Sequence, residues 1–243
     1  MKYLLSLFLL PALLGAAPPE DLHHAFDTLL KAHVNEGLVS YEALRKDPSS
    51  LNTYLDTLGA ITRSEYDTWQ EQDQLAFLLN LYNAATLKLI VEENPRKSIK
   101  QIGNLIRGPW DQRFVQLWGK SRTLNELEHD IIRVDFLKVP ETHFALVCAA
   151  IGCPPLRSEA YVGAKLETQL QHQKDLFLKD SEKNRVNTSK KTLYLSPIFK
   201  WYKKDFEKDS GSLQAYLAKT WPEVDTSWKI RYTHYDWGLN DAH

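Results

Sequence analysis

The stretch Leu75-Ala76-Phe77-Leu78-Leu79-Asn80-Leu81-Tyr82-Asn83-Ala84 is apolar on nearly every face. Its surroundings read as a helix from Gln72 to Glu93, with acidic residues at the start and Asn94-Pro95 as the stop. A helix with no polar face has to sit at the centre of its domain, so the rest of the chain must wrap around it. Asn80 and Asn83 break the apolar surface, and a buried amide needs hydrogen-bond partners from neighbouring segments.

The remaining pattern is helix-rich. After Pro18-Pro19, Leu22, Phe26, Leu29 and Leu30 recur at helical spacing, which predicts a helix reaching Gly37. Short helices are expected at Tyr41 to Arg45, at Ser49 to Leu58 and from Ser64, with Asp47-Pro48 as a break. Phe114 to Leu117 and Ser121 to Leu124 read as a hairpin turning at Trp118-Gly119-Lys120, and Asn125 is placed to cap the helix after it. His143 to Ala150 has the length of a buried strand. Further on come a helix at Lys165 to Lys179, a hairpin pairing Arg185 to Asn187 with Thr192 to Leu195, a helix from Ser196-Pro197 through Phe206, a helix at Leu213 to Thr220, and a strand at Lys229 to Tyr235. The sum is an α+β chain: a helix-dominated single domain, 18–243, with a small, mainly antiparallel sheet.

The amino terminus reads as a signal peptide, 1–17: Lys2, an apolar run from Tyr3 to Leu14, then Gly15-Ala16-Ala17. That run of about twelve residues is short of the roughly 20 that span a bilayer. The expectation is therefore export to a periplasmic or secreted location, with no stable membrane anchor after cleavage. A net charge of −1 gives no electrostatic case for nucleic acid, leaving a small molecule, a peptide or another protein as partner. Seven tryptophans and eleven tyrosines are enough to fill a core and also line a cleft.

Several stretches together resemble the family catalogued as domain of unknown function 547. They are Ala76 to Ala84, Pro109-Trp110-Asp111, Leu124 to His129, His143 to Ala149, Gly152-Cys153-Pro154-Pro155-Leu156, Ser196 to Tyr202, and Tyr235-Asp236-Trp237. They occur in the family's order from about residue 75 to residue 240, and Gly238 departs from the pattern, where a small polar residue is usual. The resemblance implies no activity. A likeness to papain-like or transglutaminase-like folds, with a buried helix against a small sheet, is an expectation by analogy, and analogy of fold does not establish a reaction.

The sharpest local feature is Gly152-Cys153-Pro154-Pro155, a cysteine on a turn stiffened by two prolines. The chain has two cysteines, Cys148 and Cys153, and a pair this close in an oxidising compartment is a candidate disulfide. One reading makes Cys153 a nucleophile, with His143 as general base and Asp236 as the carboxylate that orients it, in a thiol hydrolase or acyl-transferase acting on peptide or amide bonds. The other makes the domain a non-catalytic binding or assembly module with an aromatic-lined groove, to which Asn80, Tyr82, Asn83, Glu128, His129 and Trp201 are the candidate contributors. Structural alternatives stand beside each residue: the cysteines as core or disulfide, the histidines in a buried polar network, the asparagines as loop ties, and Glu128 paired with Arg133. His23-His24 lacks further ligands at zinc spacing, and there is neither a phosphate-binding glycine loop nor a Gly-x-Ser-x-Gly turn, so no metal or cofactor is expected.

Overall fold

A computed structural model describes residues 17–104 and 106–242. Residues 1–16, most of the expected signal peptide, lie outside the described residues. In chain order the elements begin with α1 (His24–His33), the strands β1 (Val34–Asn35) and β2 (Leu38–Val39), α2 (Tyr41–Lys46), α3 (Ser49–Ala60), α4 (Arg63–Tyr66) and α5 (Glu71–Glu93). There follow β3 (Val115–Leu117), β4 (Lys120–Arg122), a π-helix at Glu126–Ile132 that runs into α6 (Arg133–Asp135), and a 3₁₀ turn at Pro140–Phe144. The last part holds α7 (Leu166–Lys179), β5 (Arg185–Asn187), β6 (Thr192–Leu195), α8 (Ile198–Trp201), α9 (Lys203–Glu207), α10 (Leu213–Ala218) and β7 (Lys229–Tyr232). The class is α+β, with β5 antiparallel and β7 parallel to β6 in the largest sheet.

Helix α5 is the central element its composition demanded. From Leu75 to Val91 nearly every residue is buried, and Asn94 closes the helix in the left-handed conformation at φ 47°. Its length and apolarity would let it cross a membrane, but it is spent inside the protein. One apolar cluster gathers around it from α1 to α4, while a second forms around Phe144, Phe177, Phe199 and Phe206. Cys148 and Trp237 pack against both clusters, so the segments that carry them lie along the seam.

Four local expectations are corrected. The first helix stops at His33, because Glu36 and Gly37 take positive φ (49° and 83°) and form a two-residue hairpin turn that pairs Val34 with Val39. Asn125 does not cap the next helix; its amide donates to Asp111 Oδ1 at 2.6 Å, and the capping box is made by Thr123 and Glu126, each accepting the other's backbone N–H. The helix from Ser196-Pro197 is interrupted at Tyr202 (φ −107°, ψ 23°).

The segment before the cysteines, the fourth, positions the site. His143 to Ala150 is buried apart from the half-buried Cys148, but forms no strand beyond a single antiparallel bridge from Ala150 to Leu239. One side chain satisfies two of its central backbone groups: Asn83 Nδ2 donates to the Ala145 carbonyl at 2.9 Å, and the Val147 N–H donates to Asn83 Oδ1 at 3.0 Å. With both groups paired, the run can be buried without a strand partner.

His23 carries a testable consequence of this packing. Its Nδ1 is 2.8 Å from the Tyr54 hydroxyl, its Nε2 is buried with no partner, and burial pushes its pKa down to about 4. An unfolded histidine binds its proton near pH 6.5, so between that pH and about 4 the unfolded state holds more protons and folding weakens as pH falls. Urea unfolding across this window is expected to show a loss of roughly 3 kcal/mol attributable to His23. His23→Leu flattens that slope; an unchanged slope contradicts the assignment.

Candidate functional site

The seam between the two clusters opens into a cavity of about 240 Å³. Six aromatic side chains wall it: Tyr82 from α5, Trp110, Trp201 and Tyr202 from the α8–α9 corner, and Tyr235 and Trp237 from the chain end. Trp201, Tyr235 and Trp237 form one packed group, with ring centroids 4.6 to 5.9 Å apart. Trp110 meets Trp237 edge-on at 5.9 Å, and Lys100 Nζ lies 3.5 Å from the Trp237 ring centre. Trp201 is 48% exposed despite these contacts, which puts an indole at the solvent side of the wall.

Glu128 supplies the polar centre. It lies buried on the π-helix, and its carboxylate accepts the Tyr82 hydroxyl at 2.9 Å and the Tyr202 hydroxyl at 2.5 Å. π-Helical turns often occur at functional sites, where they re-aim side chains. Burial first, then the neighbouring carboxylate, pushes both phenols far above their ordinary pKa, so they remain donors. Each carboxylate oxygen keeps one acceptor direction free of these phenols.

Beside it stands a second polar assembly. His143 is buried, and its Nε2 is 2.8 Å from Asp205 Oδ2. Arg133 grips the same carboxylate with Nε at 2.8 Å and a terminal nitrogen at 3.0 Å, and its other terminal nitrogen lies 3.0 Å from His129 Nδ1. The His143 ring stacks on Tyr202 with centroids 3.9 Å apart. Burial alone would raise the Asp205 pKa, but the hydrogen bonds and charges of His143 and Arg133 outweigh it and hold the carboxyl well below the usual range.

The cysteines meet at the cavity wall. Cys148 and Cys153 form a disulfide across a sequence separation of 5. Ala149, at φ 56°, turns the loop between them. The other side is clamped by the chain end, where Ile151 N–H donates to the Gly238 carbonyl and Gly152 N–H to the Asp236 carbonyl, both at 2.8 Å. Gly152 is needed for this approach, since a Cβ there would meet the Asp236 backbone at 2.9 Å.

Of the residues picked from sequence, Cys153, His143, Tyr82, Glu128, His129 and Trp201 line the cavity. Asp236 does not hold His143. It is exposed, and its Oδ1 accepts the Gly238 N–H at 2.7 Å, while the orienting position belongs to Asp205. Asn80 and Asn83 are tied to backbone, Asn80 to both polar groups of Tyr161 (2.8 and 2.9 Å), and neither reaches the cavity. Glu128 pairs with tyrosines and leaves Arg133 to Asp205. The sequence signal for Asp205 is an acid three residues after Tyr202, beside Phe206, a charge on an apolar helical stripe. Among the described residues, no group of three or more His, Cys, Asp or Glu side chains is arranged to hold a metal ion.

The model of one protein family, described as "Protein of unknown function, DUF547", matches residues 66–178, which contain α5, Glu128, His143 and both cysteines. No curated protein and no solved structure matches the chain.

Asp205→Asn removes the charge that both Arg133 and His143 face. Breaking a buried pair from one side costs on the order of 3 kcal/mol. Because the folded-state pKa of Asp205 is depressed, its contribution is complete above the ordinary carboxylate range near pH 4 and disappears as pH falls through the folded value. Urea unfolding of the two proteins is expected to differ fully at pH 7, with the difference narrowing progressively as pH falls below ~4 toward the depressed folded-state value; an equal difference at every pH contradicts the ionised pair.

Proposed function

Taking the chain as a member of the DUF547 family, on the match over residues 66–178, we propose that it is a binding module whose ligand sits in the aromatic cavity. The observation that carries the reading is that six aromatic side chains line one cavity together with a buried carboxylate, Glu128, which two of them hold by hydrogen bonds. Pockets of this kind combine apolar walls with a few fixed polar groups that set orientation. The walls suit a ring or alkyl face, and the unused acceptor directions of Glu128 suit a hydrogen-bond donor, with the ring faces favouring a cation. The ligand class is therefore a small organic amine, free or carried on a peptide.

The cysteine-dependent hydrolase or acyl-transferase is the weaker reading. It needs a free Cys153 thiolate beside a base, whereas Cys153 is bonded to Cys148 and His143 Nε2 is engaged by Asp205. Neither sulfur has a histidine among its hydrogen-bond partners in the described residues. The amide-bond chemistry loses its remaining support if the reduced protein gives no Cys153-dependent burst of p-nitrophenol from p-nitrophenyl acetate.

Export to a periplasmic or secreted location belongs to the same proposal. The apolar amino-terminal run and the Cys148–Cys153 bridge both support it, since disulfides persist in oxidising compartments. Amino-terminal sequencing of the mature chain is expected to begin at or just after Ala17; an intact Met1 terminus in the cytoplasmic fraction contradicts export.

Benzylamine and benzoate are matched probes for the cavity. Titration by NMR is expected to shift the indole N–H signals of Trp110, Trp201 and Trp237 with benzylamine and not with benzoate. Glu128→Gln weakens the amine about tenfold or more, the scale of a lost charge-assisted hydrogen bond. Indole signals that ignore both probes, or respond to them equally, contradict the reading.

A further inference from the structure

We propose that the Cys148–Cys153 disulfide is an exchange-active group that accepts two electrons from a thiol-bearing ligand in the aromatic cavity, an inference that rests on the cavity being a ligand site. The bridge is poorly placed to be a staple, because cross-linking residues only 5 apart restricts little of the unfolded chain. It is well placed to be reached, because both cysteines line the cavity.

The two sulfurs are not equivalent. Cys148 is partly exposed and Cys153 is 4% exposed, so an incoming thiol meets Cys148 first. Cys153 Sγ receives the Cys148 backbone N–H at 2.9 Å and the Tyr235 hydroxyl at 3.2 Å. The same hydroxyl lies 3.1 Å from Cys148 Sγ and so spans the bridge. Burial, and then the Glu128 charge, raises the Tyr235 pKa, so the phenol remains a donor at neutral pH. Two donors on one sulfur stabilise the charge it carries as a leaving group, and exchange is faster when the leaving thiol has the lower pKa.

The exchange runs in two steps. A ligand thiolate attacks Cys148 Sγ; a ligand–Cys148 S–S bond forms, the Cys148–Cys153 bond breaks, and its electron pair leaves on Cys153 Sγ. A second thiol, as thiolate, attacks the ligand sulfur of that mixed disulfide and expels Cys148. Two ligand thiols become one disulfide, the bridge becomes a dithiol, and the two protons lost by the ligand thiols are those gained by the cysteines. Tyr235 is a positioning residue for the leaving sulfur.

The test uses the folded, oxidised mature chain with dithiothreitol as the dithiol probe, iodoacetamide trapping over a pH series, and mass spectrometry to locate the label. The expected result is opening without loss of the native near-ultraviolet circular dichroism. Once reduced, Cys153 is expected to alkylate with a midpoint below the ordinary thiol value of about 8.5 and below that of Cys148. In Cys153→Ser, Cys148 is expected to capture benzyl mercaptan from dibenzyl disulfide as a stable mixed disulfide. Tyr235→Phe raises the Cys153 midpoint and slows opening about tenfold while the fold persists, an effect that a purely structural tyrosine would not have on a pH profile. A bridge that opens only in denaturant, or a Cys148 midpoint below that of Cys153, overturns the proposal, and both are readable in the unmutated chain. Benzylamine binding by the same samples separates the two claims: an inert bridge with amine binding intact overturns exchange alone, and absent amine binding overturns the cavity reading.

Discussion

The site depends on one buried amide. Asn83 projects from the central helix and holds the chain at both Ala145 and Val147, immediately before Cys148. Without such a partner, the buried run would have to pair as a strand or leave polar backbone unsatisfied, and either alternative would move the cysteine loop. Asn80, one turn earlier, makes the same kind of tie to Tyr161. The helix that looks most like pure core is therefore also the scaffold that fixes the irregular segments around it, and each amide satisfies a donor and an acceptor in a dry interior.

From that anchor the cavity follows by packing. Cys148 lies where the two apolar clusters meet, and the chain end returns across the Cys148–Cys153 loop through paired backbone at Ile151 and Gly152. Tyr235 and Trp237 are carried into the wall by the same return. On the opposite side, the break at Tyr202 lets one ring reach both Glu128 and His143, which a continuous helix from Ser196 would not be constrained to do. Two carboxylates a short way apart thus have separate settings, Glu128 between two phenols and Asp205 between the Arg133 guanidinium and the His143 imidazole.

Periodicity and punctuation made most of the helices and hairpins legible, because their signals are local: Asn94-Pro95 ends α5, and Trp118-Gly119 supplies the two positive-φ positions of the second hairpin. The failures share a cause. An apolar run such as His143 to Ala150 has the composition of a strand, but its backbone is paired by distant side chains, Asn83 and Gln173, instead of a neighbouring strand. Aromatic and charged candidates at Tyr82, Glu128, His129 and Trp201 were identifiable individually and do converge. Their pairing was not, since Asp205 and Asp236 are equally acidic in sequence and only the fold brings one of them to His143. Asn80 and Asn83 have the residue type of groove contributors, but burial and partner geometry fix them to backbone instead.

The floor of the cavity is held by side-chain to backbone bonds and not by a sheet. Native-state amide hydrogen exchange tests it most directly at Val147 and Cys148, which lie outside regular structure but donate to Asn83 Oδ1 and Cys153 Sγ. The account predicts that Val147 exchanges only through large-scale unfolding, with protection close to that of the α5 core, and that Asn83→Ala releases it to local opening. Val147 exchanging at the rate of an exposed loop in the unmutated protein would contradict the account.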